Sequence, residues 1–442
     1  MNSDDLYPPA RSVTIRAVLK QVPWSDIIAM KILKPLSLLL PLLLLSPAQA
    51  SLSTAGHFEL DFEQEENLNL DDTVNEDVVA LQPELQLEFT QEFTQQLKAY
   101  LQIEFQKEFV LEDDEDDADG DVELQVEQAF ISYSPSKAVE LKAGRIRFRD
   151  KREWVYDVEL DGAQMVIEHE ALSLTAAGGR EGRWQEDLLN NDENGKADTL
   201  ILRLDYSEGE REHALWWLLQ DDTSEDDESP WFVGLSSRGD LAEDWRYWLE
   251  LVAVRGHEGD TDIRGYGFDA MLTRVFDLPY KPSLSAGLAF GNGDDTPEDG
   301  TLNEFRQTGF QDNDGRLAGV NKFRFYGEVI KPELSNLRIL TLGTGIRPSK
   351  KTSLELVYHQ YRQDVASDSL RDTDLDADPN GLSEELGYGV DLVFGYLNKK
   401  QFRIESVLGY FNPGDAFDVE ADDAWFAGFE ARYYFKPIPG LH

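Results

Sequence analysis

The chain has 442 residues, 86 of them acidic and 41 basic, a formal charge of −45 and no cysteine. Disulfides, thiolate metal sites and cysteine nucleophiles are thereby excluded. The acidity argues against nucleic acid as a partner, since phosphate contact needs a basic face.

Residues 1–29 read as a misplaced start or an unusually long n-region, with Met30 at the usual starting place of a leader. Residues 30–50 read as a signal peptide: Lys31 and Lys34, a Leu-rich core broken by Pro35 and Pro41, and the small-x-small site Ala48-Gln49-Ala50. Losing 1–50 would remove five basic and three acidic residues and take the charge from −45 to −47. Residues 51–442 then form one domain. They contain no apolar run near 18 residues, so no spanning helix is expected.

From there the period is two. In "QLKAYLQIEFQ", Leu97, Ala99, Leu101, Ile103 and Phe105 alternate with polar residues. The same alternation marks 84–90, 122–133, 198–206, 244–255, 263–275, 282–291, 317–330, 337–347, 352–363 and 401–411. It also marks "ELGYGVDLVFGYL" (385–397) and "AWFAGFEARYYF" (424–435). Many runs are long enough to cross a tilted bilayer, with aromatics such as Tyr206, Trp245, Tyr247, Tyr358, Tyr410, Tyr433 and Phe435 at their ends. The pattern predicts an all-β protein: a transmembrane antiparallel β-barrel of about 18 strands, with short periplasmic turns and long acidic loops.

Short connections are "PSKA" (135–138), "PSKK" (348–351) and "NKK" (398–400). Long ones are "EDDEDDADGD" (112–121), 179–197, 221–230, 292–316 and 364–384. Strand parity then sets a puzzle. If 317–330 is a strand, 292–316 falls on the periplasmic side as an inner gate; otherwise a further strand hides around "FRQTGF" (305–310).

With apolar faces toward lipid, Arg203, Arg246, Lys322, Arg324, Arg347, Arg403 and Arg432 point into the lumen, with Lys98 and Lys142 beside them. Inward acids alternate with them, as in Arg203/Asp205, Arg403/Glu405 and Glu430/Arg432. A salt-bridge ladder solvating the wall accounts for such pairs equally well; as a track, Arg and Lys rings select anions. The stretch "RIRFRDKREW" (145–154) adds Arg145, Arg147, Arg149, Lys151 and Arg152. Strict alternation from Leu141 and Ala143 turns Arg145 and Arg147 outward, toward lipid phosphate; a bulge or an in-folded loop would aim them inward.

No catalytic signature appears. The six His, at 57, 169, 213, 257, 359 and 442, form no ligand pair, and "DTDLDADPNG" (372–381) lacks the sixth-position Gly and twelfth-position Glu of a calcium loop. No enzyme activity, metal or cofactor is expected.

Three stretches, 144–165, 309–362 and 372–396, resemble the alginate-export family of outer-membrane porins. The resemblance runs over most of 55–436. It implies a monomeric 18-stranded barrel passing an anionic exopolysaccharide outward through an Arg- and Lys-lined pore. Arg145, Arg149, Arg152, Arg324 and Arg347 lie within or next to matching stretches. A family gate between 385–398 and 401–411 has little room in so short a turn. The partners implied are an anionic polysaccharide, outer-membrane lipid with lipopolysaccharide, and periplasmic export proteins as candidates. An anion- or oligouronate-uptake porin is the alternative, because its wall chemistry would be the same.

Overall fold

A computed structural model describes residues 51–435, except 74–76, 113–119, 121, 191–196, 223–227, 298, 399–400 and 419. The leader assigned to 1–50 lies outside the described residues, as do most of the acidic stretch 112–121 and part of 221–230.

Among the described residues, eighteen long strands follow one another in antiparallel pairs. They are β1 (Ser51–Glu66), β2 (Val78–Glu92), β3 (Leu97–Lys107, resuming as Phe109–Glu112), β4 (Val122–Ser136), β5 (Val139–Arg149) and β6 (Asp157–His169). Next come β7 (Leu172–Arg180), β8 (Ala197–Glu208), β9 (Arg211–Asp222), β10 (Trp231–Ala242), β11 (Trp245–Glu258) and β12 (Thr261–Val275). The last are β13 (Ser283–Gly291), β14 (Leu337–Ser349), β15 (Thr352–Gln363), β16 (Glu385–Asn398), β17 (Phe402–Pro413) and β18 (Ala424–Phe435). β1 pairs with β18 from Gly56↔Phe435 to Glu66↔Trp425, which closes the barrel and leaves no free edge.

Burial runs opposite to a soluble sandwich. On β14, Leu340, Leu342 and Ile346 are exposed, while Thr341, Gly343 and Gly345 between them are buried. The outer face is therefore the lipid face, and the inner face is covered by something in the lumen. Among the described residues, two in-folded elements contribute to this cover.

The first is the connection 292–336, which returns to the end it left. The expected strand at 317–330 is not in the wall: only Asp314–Gly315 and Phe323–Arg324 pair, as a small separate ladder. Its apolar residues Leu317, Phe323, Phe325, Val329 and Ile330 are buried against the inner wall. Alternation was a true sign of a hidden face, but lipid and lumen packing write the same pattern. The puzzle of parity is thereby resolved. Residues 292–336 form one in-folded outer loop, so 292–316 is not a periplasmic gate and 305–310 is not a strand.

The second is the upper half of the β5–β6 hairpin. β4 pairs with β5 only as far as Ala129↔Arg145. Above that its edge is taken by the loop after β7, through Val126 N–H to Glu186 O (3.0 Å) and Leu188 N–H to Leu124 O (2.9 Å). The hairpin is thus released into the barrel. Gly144, at φ +135° and opposite Gly162, marks the bend. Below it Leu141 and Ala143 face out; above it Arg147 and Arg149 face in, so neither points at lipid.

Candidate pore and constriction

The two in-folded elements lock together. Trp154 Nε1–H donates to Tyr326 OH (2.7 Å), and the Glu153 carbonyl accepts from the Asp312 and Asn313 amides (2.9 Å each). Gln307 Nε2–H reaches the Trp154 carbonyl at 3.1 Å. Arg152 carries the hairpin tip to the wall strands β11 and β12: its guanidinium lies 4.2 Å from the Trp248 ring and 4.7 Å from Phe325, and Nη2–H bonds Asp269 at 2.6 Å. Tyr326 OH and Trp248 Nε1–H donate to the same carboxylate at 3.1 and 3.0 Å. On the other side the loop hangs on β15–β17, through Ala318 N–H to Glu355 (3.1 Å), Val320 N–H to Ser353 (2.9 Å) and Asn321 to the Ile404 carbonyl (2.6 Å). These buried hydrogen bonds favour one geometry, because breaking any of them would leave a buried polar group unpaired, which is costly.

Under this plug, at the end of the short turns, lies a cavity of about 1240 Å³. Its basic lining is Arg149, Lys151, Arg152, Arg238, Arg246, Arg316, Lys322, Arg347, Lys350 and Lys351; its acids are Asp150, Glu153, Glu210, Glu212 and Asp240. A second volume of about 890 Å³ shares Arg246, Arg347 and Lys350 and reaches the rim at Lys281 and Asp277. Above the plug is a much smaller cavity, about 150 Å³, lined by Asp312, Glu333, Asp372 and Asp374 with Arg324 and Lys331. The lumen is therefore basic at the turn end and acid-rich at the loop end.

The basic groups differ in how they are occupied. Arg145 does not reach the chamber, which corrects its expected pore-lining place: it is 3% exposed, bonded to both oxygens of Asp161 (2.8 and 3.0 Å) and to the Val126 carbonyl (2.9 Å). Arg147 is held by Asp157 at 2.7 Å and Glu159 at 3.2 Å. Arg149 lies 3.0 Å from Glu153 and also pairs with Asp157; Lys151 pairs with Glu212. Arg203 sits on Asp205 (2.8 Å), Arg403 on Glu405 (2.9 Å) and Glu430 (3.4 Å), and Arg432 on Glu59, all on inner walls outside the chamber. Lys98 and Lys142 pair with Glu92 and Glu140 (2.7 and 3.4 Å). Lys322 and Arg324 belong to the in-folded loop and not to a wall strand, and Arg324 opens to the upper cavity.

Two chamber arginines stand apart. Among the described residues, Arg347 has no carboxylate within ion-pair distance, and neither has Arg316, while Arg246 has only Asp240 at 3.6 Å. Burial, then the Arg403 and Arg347 charges, holds Arg316 below the usual arginine value. Lys322 pairs with Glu153, yet burial and then the Arg149, Arg403 and Arg147 charges pull its ammonium down to about 8. Guanidinium groups crowded this way with no carboxylate at ion-pair distance are poised for an anion.

Arg316, Arg238, Lys350 and Lys351 are chamber residues that strand alternation did not supply. Arg316 lies in a loop, where side-chain direction has no period. Lys350 and Lys351 are visible as turn residues, and the signal that could have found them is the basic run Arg347-Pro348-Ser349-Lys350-Lys351 at the turn end.

A family model described as alginate export matches residues 50–425. The chain belongs to the alginate export family. Two alginate production proteins named AlgE are similar to it, from Azotobacter vinelandii (25% identical over 191 residues) and Pseudomonas aeruginosa (27% over 184). Each alignment covers 38% of this chain and spans only 38% and 36% of those relatives' lengths. The fold is shared with outer-membrane proteins of Pseudomonas aeruginosa. OpdK gives a TM-score of 0.58 at 12% identity, covering 87% of this chain and 98% of its own. OccK11 gives 0.55 at 15%, covering 88% and 96%. This member of the family is an outer-membrane β-barrel, and its basic chamber opens where the periplasmic turns are.

Proposed function

We propose that this barrel passes an anionic polyuronate such as alginate out of the cell, by passive diffusion through a pore normally closed by its own plug. The observation that carries this reading is the excess of cations in the turn-end chamber, with Arg316 and Arg347 lacking carboxylate partners, in a chain of charge −45. A polyuronate carries a carboxylate on each sugar. In the chamber those carboxylates would replace water and counterions at several guanidinium and ammonium groups in turn. Each contact is strong enough to admit the chain and weak enough to exchange, as conduction requires.

The asymmetry favours export over uptake. The basic mouth faces the periplasm, where a newly made polymer arrives. The outlet acids Asp312, Glu333, Asp372 and Asp374 would repel its return. In this reading the plug closes the pore, so polymer entering from below must displace the contacts of Trp154 and Arg152. We assign the remaining roles in the same spirit: a leader at 30–50 removed on export, one barrel domain acting as a monomer, periplasmic export proteins feeding the chamber, and no catalytic step.

The test is block of ion current by uronate oligomers in planar bilayers. Oligomannuronate added to the periplasmic side should interrupt current at lower concentration than the same oligomer on the outer side. Equal block from both sides, or block by neutral oligosaccharides of the same length, would contradict the reading.

A further inference from the structure

The outer face of the barrel carries a feature unrelated to the lumen. Arg255 on β11 and Arg264 on β12 are directly opposite one another in the sheet register, and both are exposed. Arg338 on β14 and Arg362 on β15 repeat the arrangement. Like charges directly opposite on neighbouring strands cost stability unless something negative lies between them. The barrel has placed two such pairs on one wall, separated only by β13.

Their height is informative. Along β12, the outward residues below Arg264 are Tyr266, Phe268, Ala270 and Leu272, ending at Arg274 near the turn. Ten residues of tilted strand span about 25 Å, the thickness of the apolar band. On β14, Arg338 caps the matching stretch of Leu340, Leu342, Thr344 and Ile346. All four arginines therefore stand where the outer leaflet's headgroups begin. An aromatic ledge lies between the pairs: Phe290 of β13 is 5.9 Å from the Tyr266 ring, and the Arg338 guanidinium is 5.9 Å from Phe290.

The protein's own acids fill part of this demand. Arg264 bonds Asp262 through Nη2 (3.1 Å), Arg338 bonds Asp364 through Nε (3.0 Å) and Nη2, and Arg362 reaches Glu385 (3.0 Å) and Glu384 (3.5 Å). Arg255 meets only the carbonyls of Val254 and Gly265, at 2.9 and 3.5 Å, with no carboxylate among the described residues. A guanidinium has five donors, so each retains N–H groups for a phosphate.

We propose that this wall, β11 to β15, binds the headgroup phosphates of a phosphorylated glycolipid of the outer leaflet, of the lipid A type. The acyl chains would lie on the Leu340–Ile346 and Tyr266–Leu272 faces, and each cross-strand arginine pair would clasp one phosphate. Charge complementarity and the level of the site above the apolar band select a lipid over a soluble anion.

The test uses the full chain in neutral detergent, with diphosphoryl lipid A and its dephosphorylated form as probes, read by native mass spectrometry. The wild type should retain the diphosphoryl form at concentrations where the dephosphorylated form is not retained. Arg255→Gln/Arg264→Gln and Arg338→Gln/Arg362→Gln should each weaken retention by about tenfold, roughly one charge-assisted contact. Arg274→Gln, at the opposite rim, should leave it unchanged. Heat-modifiable migration on gels checks that each variant is folded. Equal retention of the two lipids by the wild type would overturn the proposal whatever the variants do. So would unaltered retention by folded double variants, or equally tight binding of inorganic phosphate alone.

Discussion

The two ends of the lumen are built from the same residue types and do opposite things with them. At the loop end, Lys331 lies 2.7 Å from Asp374 and Arg371 lies 3.2 Å from Glu333, so cations are consumed by the acids around them. At the turn end, Arg316 and Arg347 are left without carboxylates among the described residues. The overall charge of −45 thus says little about any one site. Whether a cation holds the fold or is available to a passing anion depends on its nearest acid, a few ångströms away.

Opening the plug should abolish the distinction between the ends altogether. Trp154→Ala combined with Arg152→Gln removes the Tyr326 bond and the Asp269 ion pair. Single-channel conductance should rise severalfold over a wild type that is mostly closed, and unchanged closed times would show that these contacts do not hold the plug. A cation already spent inside the protein should behave differently. Arg145→Ala leaves Asp161 buried without its counter-charge, so it should lower resistance to unfolding by about 3–5 kcal/mol while leaving ion selectivity as it was. Thermal and denaturant unfolding followed by gel mobility, alongside reversal potentials, measures both.

Weaker effects should sharpen the contrast. The Lys322 ammonium, drawn down to about 8, loses its charge as pH rises through that value. Anion selectivity should therefore be full at pH 6 and partly lost by pH 9, and Lys322→Arg should flatten the profile. A wild-type profile without a step in this window would show that Lys322 keeps its charge. The smallest change is expected at the outlet, where Asp372→Asn/Asp374→Asn should reduce rectification of polyuronate-blocked current without altering selectivity.

Much of this was legible in the chain. Period two, strand length and terminal aromatics led directly to a barrel, because lipid exposes Leu340 and Leu342 as regularly as a soluble core would bury them. Arg246 and Arg347 were found by the same alternation. What failed did so for a common reason. Residues 317–330 alternate because the inner wall hides their apolar side chains, and Arg316 among them has no strand parity to read. Arg145 lies in the most basic stretch of the sequence, yet its use is decided by Asp161, 16 residues away across a hairpin. The inward turn above Gly144 depends on which backbone takes over the edge of β4, a choice settled by the loop after β7.

In the proposed function, unpaired cations at the periplasmic mouth select the anion. The most direct measurement is the reversal potential of Arg316→Glu/Arg347→Glu under a salt gradient, in protein shown to be folded by heat-modifiable migration. A shift from anion toward cation selectivity is expected, with loss of block by uronate oligomers from the periplasmic side. A double variant that keeps wild-type anion selectivity and block would contradict it.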